Sequence, residues 1–393
     1  MTANFMRIFL SCQQARKKHN IPAYSFWETY LKKGIEEAGY EWVEAPDVDW
    51  AEALSYYHPD DLHKWRQRTW NCVLSSIKQQ HQNQGIDLFL GYLFPKQIEI
   101  GAVEEIRSLG IPCVNFFCDN VREYIKVPKE FYCFDLHWVP EFKALKMYQQ
   151  AQLNYIYAPM PVWISKELRT CEHRENYGVS FIGSRDIQRA ALLAQVINSG
   201  IALEIRGAAW SSDSHISQNF NLPSQNIWQT AVNQLKYLKT EGIIPWLRKI
   251  QAKSQPTIPD EVFADCVKKQ PNGQEYTAII QQSTISLGIN RYPSYRYPFS
   301  YPNTYSRMRD IEAPMMGACY LTEWTEGLDD LYELGEEIET FSNAEEMIEK
   351  IRMLQADPKK RKKMRCQAQK RALTEHSVAN SINKICITLG LHK

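Results

Sequence analysis

The stretch 179-VSFIGSRDIQRAALLAQVI-197 decides the fold class of this chain. Residues 179–182 form a short apolar run, which is typical of a buried strand, and residues 187–197 carry apolar side chains at helical spacing. Gly183-Ser184-Arg185 is the turn between the two. A buried strand that leads directly into a helix is the repeating unit of an α/β fold with a parallel sheet.

The same alternation continues on both sides of this stretch. Short apolar runs predict further strands at 6–10, 40–44, 87–90, 111–117, 136–139, 156–158, 203–205, 285–289 and 318–321. Helical spacing predicts helices at 27–38, 60–80 and 98–108, and a helical tail over 344–391. Strands and helices in this order indicate doubly wound parallel sheets.

Chain length and a proline-containing segment indicate two domains. The 393 residues exceed what one hydrophobic core usually organises, and Pro159 and Pro161 precede a run of charged residues. We predict a Rossmann-like domain over 1–160, a second over 177–370, and a C-terminal helix over 371–393 that can pack back on the first. Residues 210–276 interrupt the alternation and are predicted to be an insertion, with helices at 227–238 and 244–252, that contacts an acceptor or partner rather than nucleotide.

Composition argues against several functional classes. Lys and Arg number 46 against 45 Asp and Glu, so no charge excess favours nucleic acid or an anionic membrane. The basic run 359–371 is typical of a solvated helix face, and no run resembles a secretory signal or a transmembrane segment. The ten cysteines are scattered without Cys-x-x-Cys, which predicts reduced thiols in a cytoplasmic protein rather than disulfides or a zinc site.

Two stretches of the second domain are candidates for binding an anionic ligand. Gly183 permits close approach of the backbone, the N–H groups at a helix start attract phosphate, and Arg185 adds a cation. In 305-YSRMRDIEAPMMGA-318, Arg309 and Glu312 share one helical face, where an Arg can neutralise a diphosphate and a Glu can accept ribose hydroxyls. An ordinary turn and a surface ion pair are the alternative interpretations. The Tyr-, Pro- and Arg-rich residues 291–307 can likewise wall a pocket or form a rigid surface loop.

Asp119 is the candidate general base of the first domain. It follows the apolar strand 111–117, at the carboxyl edge where open α/β sheets bind ligands. A helix cap is the alternative role for this carboxylate, and in that case the base would be His19, His137 or the substrate itself.

The run Arg309-Asp310-Ile311-Glu312-Ala313-x-x-x-Gly317-Ala318 resembles the carboxyl-terminal half of group 1 glycosyltransferases. The likeness is to the branch typified by the spore-maturation CgeB proteins. It extends to residues 179–184, 283–291, 325–328 and 335–338 and to Glu375-His376, and so covers most of the second domain.

This resemblance implies a GT-B fold, in which two Rossmann-like domains face a central cleft and the donor lies against the second. Glu312 would hold the donor ribose, Arg309 and the Gly183–Ser184 turn would meet the diphosphate, and Asn290 and Arg291 would face the cleft. The candidate donor site is therefore Gly183, Ser184, Arg185, Asn290, Arg291, Arg307, Arg309, Glu312 and Gly317. Many retaining members carry a Glu where this chain has Thr304, so the stereochemical outcome stays open.

The predicted function is transfer of a sugar from a nucleotide-sugar donor to a glycan, lipid, protein or small-molecule acceptor. Arginines can stabilise the departing diphosphate without a metal, and we predict no cofactor. Asp47-Val48-Asp49 has the Asp-x-Asp spelling of metal-dependent glycosyltransferases, but it occurs early, in a loop-like stretch. His58, Asp60, Asp61 and His63 are explained by a helix start. A nucleotide-sugar epimerase of similar fold and a non-catalytic nucleotide- or sugar-binding module are the alternatives.

Overall fold

A computed structural model describes residues 6–391, apart from residues 13–14, 18, 20–24, 56–57, 211–233, 236 and 254–256. The chain forms two compact units. Unit 1 comprises Met1–Lys166 and Arg371–Lys393, and unit 2 comprises Glu167–Lys370. Within the described residues, no helix combines the length and the apolar character that a bilayer-spanning segment needs.

Unit 1 is built on one parallel sheet. Its strands are β1 (Arg7–Ser11), β2 (Glu41–Val43), β3 (Leu88–Tyr92), β4 (Cys113–Phe116), β5 (Leu136–Val139) and β6 (Tyr155–Tyr157). They are ordered β2-β1-β3-β4-β5-β6, so the apolar strand β4 is interior, as predicted. The helices between them are α1 (Ser25–Glu37), α2 (Glu52–Ser55), α3 (Pro59–Gln84), α4 (Ile100–Ser108), α5 (Asn120–Glu123) and α6 (Phe142–Gln150).

Unit 2 contains a second parallel sheet. Its strands are β7 (Tyr177–Ile182), β8 (Leu203–Arg206), β9 (Ser283–Gly288), β10 (Tyr320–Glu323) and β11 (Glu339–Phe341), in the order β11-β10-β9-β7-β8. Its helices are α7 (Ile187–Asn198), α8 (Ile243–Lys253), α9 (Gly273–Gln282), α10 (Arg309–Met315), α11 (Leu328–Leu331), α12 (Ala344–Ala356) and α13 (Pro358–Glu375). The predicted α/β class with two Rossmann-like parallel sheets is confirmed.

The last helix, α14 (Val378–Leu389), belongs to unit 1. Tyr40 donates its hydroxyl hydrogen to Asn383 Oδ1 at 2.8 Å, and Lys384 Nζ donates to the carbonyl oxygen of Tyr157 at 2.6 Å. Val378 lies so close to Gly34 on α1 that any larger residue at position 34 would overlap it. Glycine at position 34 therefore permits the close packing of α1 and α14.

Described residues of the segment 210–276 contribute to the core and the sheet edge of unit 2. Trp210 and Phe263 belong to the hydrophobic core, and Val267 forms a parallel bridge with Ile205 at the edge of the sheet. Helix α8 agrees with the helix predicted at 244–252. The helix predicted at 227–238 lies largely outside the described residues. Sequence periodicity did not predict α9 or the three-residue strand β11.

Two arginines of the basic run 359–371 are buried, which corrects the prediction of a solvated helix face. Arg361 donates to Glu175 Oε2 at 2.6 Å, and Arg365 donates to the carbonyl oxygens of Gln281 at 2.8 Å and Gly317 at 3.1 Å. Arg365 thus satisfies carbonyl groups where α9 and α10 end. Charge alone could not separate these internal anchors from the solvated lysines around them.

The prediction that all cysteines are reduced is wrong for one pair. Cys171 and Cys366 form a disulfide across 195 residues of sequence, with Cα atoms 5.0 Å apart. It ties the segment before β7 to α13. The other eight cysteines are free, and of these only Cys72 is exposed.

Candidate functional site

A pocket of about 240 Å³ lies at the carboxyl ends of β7 and β9. The chain runs from β7 to β8 on one side and then crosses to β9 on the other, so these two strands mark the point where the strand order reverses. Open α/β sheets bind their ligands at this point. The polar residues that line the pocket are Ser184, Arg189, Asn290, Arg307, Arg309 and Tyr320.

The turn after β7 contributes Gly183 and Ser184 to the pocket wall. Contrary to expectation, the helix start behind it offers few N–H groups. The N-cap Asp186 accepts hydrogen bonds from the backbone N–H groups of Gln188 and Arg189, both at 2.9 Å, and the N–H of Arg185 donates to Ala208 at 3.0 Å. Positive charge in this pocket therefore comes mainly from side chains.

Three guanidinium groups supply that charge. Arg307 and Arg309 were predicted from the sequence, and Arg189 was not. Arg189 is 9% exposed, and its Nη1 donates to the backbone oxygen of Ser184 at 3.0 Å. Burial, and then the nearby Arg307 guanidinium, lower the pKa of Arg189. Arg307 stacks on the ring of Tyr305 at 4.8 Å. Mutual repulsion of close cations is relieved by an anion between them, so the pocket has the electrostatics of an anion site.

Buried polar contacts orient the pocket side chains. Asp310 accepts hydrogen bonds from the Arg307 N–H at 2.9 Å, Tyr320 Oη at 2.8 Å and Thr322 Oγ1 at 3.0 Å, and burial raises the pKa of its carboxyl group. Asn290 Nδ2 donates to the carbonyl oxygen of Glu323 at 2.9 Å. The sequence could not predict that the Asp310 side chain would meet these three partners.

Glu312 lies beside the pocket and is 3% exposed. Its Oε2 is 3.4 Å from Arg309 Nε, so the ion pair inferred from helical spacing is present. The same oxygen accepts a hydrogen bond from the hydroxyl of Tyr276, a residue that sequence analysis did not single out. Glu312 is buried and Arg309 is half-buried, so this is not an exposed surface pair.

The structure does not bring Arg185, Arg291 or Gly317 into the pocket lining. Arg185 pairs with Asp260 and packs 5.1 Å from the ring of Phe263. Arg291 is buried against Glu323. Its backbone N–H donates to Glu323 Oε2 at 3.0 Å, and its side-chain Nε donates to Glu323 Oε1 at 2.8 Å.

Gly317 ends α10 at a φ of +73°. A side chain at this position would overlap the backbone of Thr170 and Cys171. Glycine is thus required here by local packing and conformation, far from the carboxyl end of β9.

In unit 1, Asp119 follows β4 at the carboxyl edge of the sheet. It occupies the N-cap position of α5, where its backbone oxygen accepts a hydrogen bond from the Glu123 N–H at 2.9 Å and its side chain makes no capping hydrogen bond. The adjacent Asn120 N–H donates to the buried Glu141 at 2.7 Å, and burial raises the pKa of Glu141 to about 8.

The two alternative bases have different surroundings. His137 is 1% exposed, it packs against aromatic rings including Tyr148, and burial lowers its pKa to about 3. A neutral, enclosed imidazole cannot reach an acceptor. His19 Nε2 lies 2.8 Å from Asp49 Oδ2 on the segment after β1.

Asp49 of the Asp-x-Asp spelling is an internal anchor. Besides His19, its carboxylate accepts from the backbone N–H groups of Arg16 at 2.9 Å, Lys17 at 3.0 Å and Glu52 at 3.0 Å. These bonds hold the segment between β1 and α1 against the start of α2. Among the described residues, no three His, Cys, Asp or Glu side chains are grouped so that they could hold a metal ion.

Part of the chain matches a known protein family by sequence. Residues 245–387 match a family described as Glycosyl transferase-like. A search of curated proteins finds no match.

Solved structures match almost the whole chain. Sucrose-phosphate synthase from Thermosynechococcus elongatus is 12% identical with a TM-score of 0.53, and the match covers 98% of this chain and 99% of that one. Anabaena Alr3699/HepE, solved with UDP, is 12% identical with a TM-score of 0.53 over 98% and 100% of the two chains. A putative UDP-N-acetylglucosamine 2-epimerase from Listeria monocytogenes is 11% identical with a TM-score of 0.50 over 99% and 98%. These likenesses establish the fold, which matches that of GT-B glycosyltransferases.

Proposed function

We propose that this chain is a glycosyltransferase that transfers a sugar from a nucleotide-sugar donor to an acceptor. The observation that carries the proposal is the pocket at the β7–β9 switch point, where Arg189, Arg307 and Arg309 converge. The segment that matches the glycosyl transferase-like family contributes two of these arginines and the adjacent Glu312. We place the chain with the CgeB-like branch on the motifs of unit 2.

The proposed chemistry uses the pocket to bind the leaving group. The acceptor oxygen forms a bond to the anomeric carbon while the bond from that carbon to the diphosphate breaks. Negative charge then develops on the departing nucleoside diphosphate. Guanidinium groups already held in position stabilise this charge without reorganisation, and we propose that no metal is required.

We assign the acceptor proton to Asp119. A carboxylate at the carboxyl edge of the unit 1 sheet can accept the proton that the acceptor hydroxyl loses as its oxygen forms the new bond. This role is supported by the position of Asp119 just after the end of β4.

A donor-hydrolysis assay tests the proposal. HepE was solved with UDP and with UDP-glucose, so UDP-glucose and UDP-N-acetylglucosamine are the first donors to examine. We expect slow release of UDP from one donor, and equal release in excess EDTA. Loss of turnover in EDTA that manganese or magnesium restores would refute metal independence.

The same assay distinguishes a transferase from an epimerase and from a non-catalytic binding module. A UDP-N-acetylglucosamine 2-epimerase has a similar fold, and epimerisation would convert the donor sugar into its epimer, which NMR detects. A binding module would bind UDP in calorimetry without releasing it from any donor. Either result would replace the transferase proposal.

A further inference from the structure

Tyr276 makes a contact that the proposed donor site does not yet explain. Its hydroxyl donates a hydrogen bond to Glu312 Oε2. Burial raises the pKa of Tyr276, so the hydroxyl keeps its proton and acts as a donor. A buried carboxylate that would accept ribose hydroxyls is therefore already held by protein groups, among them Tyr276 and Arg309.

The position of Tyr276 is well defined by its helix. Asn272 Oδ1 accepts from the Gln274 and Glu275 N–H groups, both at 3.0 Å, and Glu275 Oε2 accepts from the Asn272 N–H at 2.9 Å. This reciprocal capping box fixes the first turn of α9. The N–H of Tyr276 donates to the Asn272 carbonyl oxygen at 2.8 Å within that turn.

Tyr276 also contacts the pocket arginine next to Glu312. The Arg309 guanidinium lies 5.0 Å from the centre of the Tyr276 ring, within the range of a cation–π interaction. One side chain thus supports both members of the Arg309–Glu312 pair.

We propose that Tyr276 is a positioning residue that orients the Glu312 carboxylate to accept the ribose hydroxyls of the donor nucleotide. This inference rests on the proposed function. A carboxylate has about four lone-pair sites, so it accepts from Tyr276 and from a ribose diol at the same time. With the hydroxyl of Tyr276 in place, the site discriminates ribonucleotides from nucleotides that lack both hydroxyls.

The test compares two ligands and two variants by calorimetry. The parent protein is expected to bind UDP more tightly than 2′,3′-dideoxyuridine diphosphate. In Tyr276→Phe, which keeps the ring over Arg309, we expect UDP affinity to fall on the order of tenfold and dideoxy affinity to stay within about twofold. The control Tyr301→Phe alters a tyrosine of the same unit that is 77% exposed, and both affinities should be unchanged.

The readout is the ratio of the two affinities, which a general loss of stability would not change. If Tyr276→Phe does not fold, Tyr276→Met, which also lacks the hydroxyl, should show the same fall in the ratio. A parent ratio preserved in a folded variant without the hydroxyl would overturn the inference alone. A parent protein that does not bind UDP would overturn both the inference and the proposed donor.

Discussion

The partners of each arginine in unit 2 determine whether its charge is available in the pocket. Glu323 neutralises Arg291 at bonding distance, and Asp260 pairs with Arg185. Arg307 instead lines the pocket, where its Nη2 donates to the carbonyl oxygen of Arg291 at 3.4 Å. Arginines of one domain therefore differ in whether they line the pocket.

Arg307→Ala should weaken nucleoside diphosphate binding. A charge-assisted hydrogen bond is worth about 1.5–3 kcal/mol, so we expect UDP affinity to fall roughly 10- to 100-fold in calorimetry. Arg185→Ala is the matched control, because Arg185 faces Asp260 outside the pocket, and it should bind within about twofold of the parent. Equal losses in the two variants would argue against the pocket as the diphosphate site.

Asp119→Asn separates a base from a structural carboxylate. Asn has nearly the same shape but cannot accept the proton, so turnover should fall about 10²-fold or more while donor affinity stays near parental. A structural carboxylate that caps α5 would instead leave turnover near parental, and Asp119→Ala would then cost about 1 kcal/mol of stability. Near-normal turnover in the Asn variant would exclude the catalytic role and leave His19 as the next candidate, since His137 is enclosed.

Among the elements, the parallel strands place the pocket and Asp119 at the carboxyl edges of their sheets. The pocket lies where β7 and β9 end, and Asp119 follows the end of β4. Helix α7 contributes Arg189 from its first turn, while Asp186 caps its free N–H groups. Because the cap satisfies these N–H groups, the proposed binding of the diphosphate depends on the arginine side chains.

Packing between α1 and α14 gives a prediction for Gly34. Gly→Ala inside a helix normally stabilises a protein by about 0.5–1 kcal/mol. At position 34 the new methyl group would overlap Val378, and overpacking typically costs about 1–3 kcal/mol, so Gly34→Ala should lower the free energy of unfolding. Gly101→Ala in α4 is the control, because a methyl group there meets open space. Urea denaturation showing equal or higher stability for both variants would contradict the packing of α14 on α1.

For the whole molecule, the long-range ties of unit 2 converge on α13. Arg361 and Arg365 pair with Glu175, and Cys366 is bonded to Cys171. The segment that enters β7 is therefore held to a helix that follows it by nearly two hundred residues. These ties connect the two ends of unit 2.

Reduction should weaken unit 2. A disulfide usually contributes about 2–4 kcal/mol, and the loop closed here is long. The free energy of unfolding of protein prepared without reductant should fall when dithiothreitol is added. The Cys171→Ser variant should already have this lower free energy of unfolding, and dithiothreitol should not change it. Cys72→Ser, which removes an exposed free thiol, should behave like the parent. Denatured, unreduced protein should titrate eight thiols, and ten would refute the bridge.

The sequence alone determined the α/β class and most strands. It also identified Arg309 and Glu312 as candidate donor-binding residues. These properties depend on local patterns, such as the apolar run before Gly183 and the three-residue spacing on one helical face. The same local evidence also led to Arg185 and Gly317, because a residue type does not reveal what its side chain will meet.

Only the tertiary structure decided which of these residues share a pocket. Tyr276 reaches Glu312 across 36 residues, and His19 reaches Asp49 across 30. The bond between Cys171 and Cys366 spans 195. Such contacts arise because parallel strands bring distant segments to one sheet edge, and no periodicity within a segment records its future neighbour. The sequence therefore shows the chemistry of each side chain, whereas the fold determines which partner that side chain contacts.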